Sequence, residues 1–270
     1  MQQKIGFIGT GNMAGAMIKG LTNKFSEIYK HVYVTDKNLK KAEDMCKELH
    51  INLCENNIEI IKKAKILIIA VKPNVYGDVL QEIKDVITKE HIIVSIAAGI
   101  SIKYIEGFFS QPIKIIRTMP NTPAFVGEGM TAITPNKEVT DEELDTVLSI
   151  FESIGKTDVI DEKLMDTVTA ISGSSPAYVY LFIEALADGG VLQGLSREKA
   201  YTYAAQAVLG AAKMVLETGK HPGELKDNVC SPGGTTIEAV YTLEKNHFRG
   251  TIIEAMEACT EKARKMANNK

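Results

Sequence analysis

Gly9, Gly11 and Ala14 have the spacing of a phosphate-binding turn, G-x-G-x-x-A, placed between the apolar run Ile5-Gly6-Phe7-Ile8 and a helical pattern that opens at Asn12. Each small residue has a separate physical task. Gly9 permits the tight turn, Gly11 lets the backbone approach a pyrophosphate, and Ala14, in place of the third glycine, still allows close helix–strand packing. The helix start then offers unpaired N–H groups and the positive end of its dipole to the anion. Asp36 ends the second apolar run, where the adenine ribose of a dinucleotide belongs. A carboxylate there accepts hydrogen bonds from the ribose hydroxyls and repels a 2′-phosphate, whereas Thr35 and Lys37 beside it suit that phosphate. NADH and NADPH both remain open on these residues.

A second turn of unusual composition lies in the other half of the chain. Asp227-Asn228-Val229-Cys230-Ser231-Pro232-Gly233-Gly234-Thr235-Thr236-Ile237 passes through Ser-Pro-Gly-Gly into a helical pattern, which leaves several backbone N–H groups pointing one way. That is a cradle for a small carboxylate, although a flexible hinge followed by a helix cap has the same composition. Two loops complete the candidates. Ala70-Val71-Lys72-Pro73 stops a strand sharply and should border the nicotinamide half of a cofactor, and Ala97-Ala98-Gly99 has side chains small enough for close approach by a flat ring.

The elements that must hold these turns follow two patterns. Residues 5–9, 32–36, 66–71, 92–97 and 113–117 are continuous runs rich in β-branched residues, as expected for parallel strands buried on both faces. Helical spacing fills 12–22, 39–49 and 75–86 between them, with shorter helical patterns at 57–63 and 101–109, so the chain builds right-handed βαβ units. Further strand-like runs lie at 131–134 and 157–160. Between them Thr140-Asp141-Glu142-Glu143 reads as a capping box for a helix reaching 154. After Asp161 no strand pattern returns. Ser175-Pro176 reads as N-cap and first residue of a helix that is apolar nearly all round until Gly194, and 197–216 is rich in alanine. The expected division is a dinucleotide-binding domain over 1–161 and a helical domain over 162–270. Helices this apolar need a cover, from within or from a second subunit.

Composition narrows the partner. Thirty-one basic against 34 acidic side chains, a net charge of −3, provide no excess of positive charge for nucleic acid. The four cysteines share no C-x-x-C spacing and the five histidines do not pair at i, i+4, so no metal is expected. The start of the chain lacks a secretory signal pattern, and the charge-free stretch 167–183 contains Gly173 and Pro176 and fails as a membrane span. A cytoplasmic protein with a small-molecule partner is the expectation.

With these residues in view, the chain resembles the pyrroline-5-carboxylate reductase family over essentially its whole length. The resemblance is carried by Gly6-Phe7-Ile8-Gly9-Thr10-Gly11-Asn12-Met13-Ala14, Ala70-Val71-Lys72-Pro73, Ser172-Gly173-Ser174-Ser175-Pro176-Ala177-Tyr178, Ala187-Asp188-Gly189-Gly190-Val191 and His221-Pro222-Gly223-Glu224-Leu225-Lys226-Asp227-Asn228-Val229, ending in Ser231-Pro232-Gly233-Gly234-Thr235-Thr236. It implies an α/β fold, a Rossmann-like N-terminal domain followed by an all-α dimerisation domain, and assembly as a homodimer or a pentamer of dimers. It also implies NADPH or NADH as cofactor, bordered by Ile8, Gly9, Thr10, Gly11, Asn12, Met13, Asp36, Asn57, Val71, Lys72, Ala97 and Ala98. Glu162, Asn228, Ser231, Gly233, Gly234, Thr235 and Thr236 would border the substrate. Two residues depart from the family pattern: Asp36, where Ser or Arg suited to NADPH is usual, and Ser175, where glycine is frequent.

The reaction so implied is hydride transfer to the carbon of a cyclic imine bearing a carboxylate, giving L-proline, with Thr236 as the group that hydrogen-bonds the imine nitrogen. A cyclic imine is readily protonated near neutral pH, so positioning should dominate the catalysis and no histidine or lysine acid is required. Two other readings are a β-hydroxyacid dehydrogenase or related imine reductase, and a nicotinamide-sensing protein without catalysis. Against the first, 172–178 lacks the lysine such dehydrogenases place in a Gly-rich helix start; against the second, the 231–236 turn is intact.

Overall fold

Unbroken apolar runs, rather than alternating ones, require a sheet covered on both sides, and that is the arrangement found. The computed structural model describes residues 3–268. Its strands are β1 (Ile5–Ile8), β2 (Val32–Thr35), β3 (Asn52–Leu53), β4 (Ile66–Ile69), β5 (Ile92–Ser95), β6 (Lys114–Met119), β7 (Gly129–Pro135) and β8 (Gly155–Val159). They form one sheet in the order β3-β2-β1-β4-β5-β6-β7-β8. β1 pairs with β2 in the register Ile5↔Val32 and with β4 in the register Ile5↔Ile66, both parallel. Successive residues then enter opposite layers. Ile5, Phe7, Ile66 and Ile68 pack with Met17, Ile18 and Leu21 of α1 (Asn12–Lys24) on one side. Ile8, Leu67 and Ile69 pack on the other with Ile60 and Ile61 of α3 (Asn57–Lys63) and Tyr76, Leu80 and Ile83 of α4 (Tyr76–Ile83). The helix between β2 and β3 is α2 (Leu39–Leu49), with the bounds its spacing predicts.

The sheet's order reverses at β1. The chain goes from β1 outward to β2 and β3, and from β4 outward the other way, so the segments leaving β1 and β4 part and open a crevice at their carboxyl ends. Beyond β5, α5 (Ile102–Glu106) leads to β6. β7 runs antiparallel to β6, with Thr118 opposite Ile133, because the link from Met119 to Gly129 is too short for a crossover. The capping box is present: Glu143 N–H donates to Thr140 Oγ1 and Thr140 N–H to Glu143 Oε2, opening α6 (Asp141–Phe151), which crosses over to β8.

Some boundaries differ from the sequence pattern. The helix expected over 75–86 is shorter, ending at Ile83, and is preceded by a 3-10 turn at Pro73–Val75, where Pro73 takes a first-turn position that needs no N–H; 101–109 shortens to α5. After α7 (Met165–Val168) a π-helical turn, Thr169–Gly173, moves the next helix start by one residue, so Ser174 rather than Ser175 is its N-cap. β3 has two residues, too few to leave a pattern.

The chain forms two compact units. One runs up to Gly173 and takes in the segment from Cys259 onward; the other is Ser174–Ala258. The second contains α8 (Ser175–Leu192), α9 (Arg197–Thr218), α10 (Pro222–Val229), α11 (Thr235–Lys245) and the first half of α12 (Phe248–Asn268). α8 and α9 meet through Ala187, Ala200 and Ala204, flanked by Ile183 and Val191. Large apolar side chains on the same helices face outward, among them Leu181 at 66%, Tyr203 at 68% and Leu192 at 84% exposure. Among the described residues no helix is long and apolar enough to cross a membrane.

Candidate active site

The glycine turn is held between the ends of two strands. Gly9 N–H donates to Thr35 O at the end of β2, and Ala70 N–H donates to Ile8 O beside β4, both at 2.8 Å. Gly9 has φ +98°, and a Cβ there would lie 2.8 Å from Ala70 O, so the residue can only be glycine. At Gly11, the N-cap of α1, a Cβ would meet nothing closer than Ala70 O at 3.9 Å. That open approach to a helix start fits a pyrophosphate. Gly9→Ala combines left-handed strain with a backbone clash and should cost at least about 2 kcal/mol of stability by urea unfolding, together with loss of dinucleotide binding.

A cleft of about 610 Å³ opens along this turn. Of the residues expected at a cofactor, Ile8, Gly9, Gly11, Asp36, Asn57, Val71 and Lys72 line it. Thr10 and Asn12 instead line, with Gly11, a second cleft of about 430 Å³ over α1 and α2. Met13, Ala97 and Ala98 line neither; Ala97 and Ala98 lie in the loop between β5 and α5. Sequence reasoning missed Leu39, Lys41 and Glu82 in the first cleft, since neither glycine nor strand-end signals mark a helix wall. Glu82 Oε2 accepts from Asn57 Nδ2 at 2.7 Å.

Asp36 is fixed in place. Its Oδ2 accepts from Thr10 N–H at 2.7 Å and Thr10 Oγ1 at 2.8 Å, and its Oδ1 accepts from Asn38 N–H at 2.9 Å. Burial opposes its ionisation, but these hydrogen bonds and the nearby Lys41 charge outweigh it and hold the carboxyl below its usual range. The side chain is therefore an anion that ties the glycine turn to the end of β2.

The Ser-Pro-Gly-Gly turn lies in the second unit, between α10 and α11. Gly234 N–H closes it on Ser231 O at 3.0 Å, and Gly233 is left-handed at φ +66°. A Cβ at Gly234 would fall 2.3 Å from Ser231 Oγ, so this glycine makes room for the hydroxyl. Gly233, Gly234 and Thr235 line a cleft of about 560 Å³ at the start of α11. Thr236 is the next residue of that helix and is half-buried; Asn228 and Ser231 are exposed on the approach. Glu162 belongs to the first unit, where Ile102 N–H and Arg117 Nη1 both donate to its Oε1. Among the described residues no group of three or more His, Cys, Asp or Glu side chains is placed to hold a metal.

The chain is 48% identical over 269 residues to the pyrroline-5-carboxylate reductase of Escherichia coli (strain K12), and the match covers all of both chains. This chain belongs to the pyrroline-5-carboxylate reductase family. The model of the pyrroline-5-carboxylate reductase dimerisation family matches residues 162–266, and that of the NADP oxidoreductase, coenzyme F420-dependent family matches residues 4–99. Among solved structures, a pyrroline-5-carboxylate reductase from Coxiella burnetii superposes with a TM-score of 0.93 at 32% identity, covering 99% of each chain. The Plasmodium falciparum pyrroline carboxylate reductase, solved with NADP bound, matches at a TM-score of 0.87 and 38% identity over 98% of each chain. Family membership makes the chain an NAD(P)H-dependent oxidoreductase acting on an imine, with a Rossmann-like region followed by an all-α region.

Proposed function

We propose that this pyrroline-5-carboxylate reductase uses the turn 231–236 as its substrate cradle and the cleft along Gly9 and Gly11 as its dinucleotide site, giving L-proline in the last step of proline biosynthesis. The observation that carries the reading is the pair of backbone cradles, each built on a glycine at which a Cβ would collide with the turn itself: Gly9 against Ala70 O and Gly234 against Ser231 Oγ. Reduced nicotinamide supplies the hydride. The N–H groups of Gly233, Gly234 and Thr235 hold the substrate carboxylate at the start of α11, where the helix dipole favours an anion. Asn228 and Ser231 complete that hold; the substrate brings its proton on nitrogen, and the Thr236 hydroxyl hydrogen-bonds that nitrogen, or its bound water, as hydride reaches the neighbouring carbon and an electron pair forms on nitrogen. At the other site Ile8, Gly9, Gly11, Asn57, Val71 and Lys72 border the dinucleotide, with Thr10, Asn12 and Met13 at the helix start and Ala97 and Ala98 at the ring. Asp36, a fixed anion facing the cleft, favours NADH over NADPH.

The outward-facing apolar side chains of α8 and α9 are the surface of a homodimer, and the functional division falls between residues 161 and 162. The assembly is a dimer or a pentamer of dimers, and mass in solution distinguishes the two. The protein works in the cytoplasm, where its free cysteines stay reduced; burial raises the Cys46 and Cys54 thiols to about 11, which keeps them protonated. Oxidation of NADH and of NADPH, followed optically with pyrroline-5-carboxylate supplied, tests the whole reading. Turnover is expected with both and is faster with NADH at equal subsaturating concentration. No turnover with either dinucleotide would leave a sensing protein as the alternative.

A further inference from the structure

Glu162 is engaged in a way that contact with a substrate does not require. Its Oε1 accepts two hydrogen bonds at once, from Ile102 N–H at 2.8 Å and from Arg117 Nη1 at 3.0 Å. Arg117, 7% exposed on β6, also points Nη2 at Asp166 Oδ1, 3.5 Å away. A planar guanidinium forked between two carboxylates has little freedom, so it holds Glu162 in one orientation. The backbone beneath Glu162 is fixed as well. Thr134 Oγ1 donates to Ile160 O at 2.7 Å, and Lys163 N–H donates to Asp161 Oδ1 at 3.1 Å.

What this carboxylate holds is the end of a loop. Ile102 is the first residue of α5, and its N–H has no partner within the helix. Ser101 Oγ serves the N–H of Tyr104, which leaves Ile102 N–H to Glu162. The loop that enters α5 there contains Ala97, Ala98 and the left-handed Gly99, at φ +71°. Its other end is tied by Thr118 Oγ1, which donates to Ser95 O at 2.9 Å. Residues that follow β5 and β8 are thus fastened to Arg117 of β6 at Glu162.

We propose that Glu162 is a positioning residue for the nicotinamide end of the cofactor. Through Ile102 N–H it keeps the Ala97-Ala98-Gly99 loop in the shape that seats the flat ring, and Arg117 and Asp166 keep Glu162 in place. The inference rests on the dinucleotide site proposed above.

Glu162→Gln, Glu162→Asp and Glu162→Ala in the full-length protein test it. Dinucleotide affinity is read from the fluorescence of reduced nicotinamide without substrate, and the hydride step from single turnovers. Glutamine retains an acceptor for Ile102 N–H and should stay within about threefold of the parent in both readouts. Alanine removes the acceptor and aspartate withdraws it by one methylene, so both should slow single turnover by about 10- to 100-fold and weaken dinucleotide binding by about three- to tenfold. The KM for pyrroline-5-carboxylate should move by less than about twofold. Aspartate keeps a negative charge beside Arg117, so it reports even if alanine fails to fold. A rise of tenfold or more in that KM with unchanged dinucleotide affinity would overturn the proposal in favour of substrate contact, and parental behaviour of aspartate and alanine would overturn it outright. A parent protein that binds dinucleotide but never turns over would overturn the reductase reading alone, because the affinity measurements still decide the role of Glu162.

Discussion

Replacing Thr236 by alanine is expected to lower kcat by about 10- to 100-fold while leaving dinucleotide affinity unchanged. Hydride arriving at the imine carbon leaves a new electron pair on nitrogen, and a donor aimed at that atom stabilises the transition state more than the ground state. One such hydrogen bond corresponds to about 1.4–2.7 kcal/mol of barrier. The helical setting makes the hydroxyl available. Thr202, Thr218 and Thr242 lie deep enough in their helices to donate to the carbonyls of Glu198, Met214 and Glu238, four residues earlier. Thr236 is in the first turn of α11, and the residue four before it, Pro232, lies outside the helix. Thr236→Ser, which keeps the hydroxyl, should recover most of the rate. Thr236 and the glycine turn belong to different compact units, so reduced nicotinamide fluorescence should give the same affinity for the parent and both variants. An unchanged kcat in the alanine variant would remove Thr236 from the chemistry.

The strands and the glycine turn were legible because their causes are local. A run such as Ile66–Ile69, buried on both faces, has no solvent side on which to alternate, and φ +98° at Gly9 leaves one residue type. Helix α2 was legible to the residue, since Asn38 caps it and its apolar spacing is regular. Contacts set by the third dimension were not. Nothing in the spacing of Thr10 and Asp36, or of Ile102, Arg117 and Glu162, marks them as partners; the sheet sets the ends of β1 and β2 side by side, and its order puts β6, with Arg117, between β5, which leads to Ile102, and β8, which leads to Glu162. The same limit applied to Lys41 and Glu82, which reach the cleft from helices whose sequence pattern reports only which face is buried. The over-apolar α8 was the reverse case: its pattern asked for a cover from within or from a second subunit, and within the chain Tyr180, Leu181 and Leu192 stay exposed.

Asp36→Ser is expected to move the ratio of kcat/KM for NADPH over NADH upward by about 10- to 30-fold. In the parent a fixed anion held by Thr10 and Asn38 lines the cleft, and with the adenine ribose beside it, as proposed, a 2′-phosphate is repelled. At about 6 Å and an effective dielectric near 40, appropriate to a partly exposed site, that repulsion is on the order of 1.4 kcal/mol per unit of phosphate charge. Removing the carboxylate also frees Lys41, whose charge now acts on Asp36 and which lines the same cleft with Lys37. Serine gives up the support that Asp36 lends to Thr10, so affinity for NADH should fall while that for NADPH rises. Asp36→Asn separates the two effects: it is neutral but keeps an acceptor for Thr10 N–H, and should shift the preference with little loss of NADH affinity. The carboxyl is held below its ordinary range, so it stays ionised throughout the neutral and mildly acidic region, and the parent preference for NADH should be constant there. It should weaken only as the pH falls through that lowered value, where protonation imitates the asparagine variant. Equal ratios in the parent and in both variants would mean that the adenine ribose does not lie beside Asp36, whatever else the carboxylate holds.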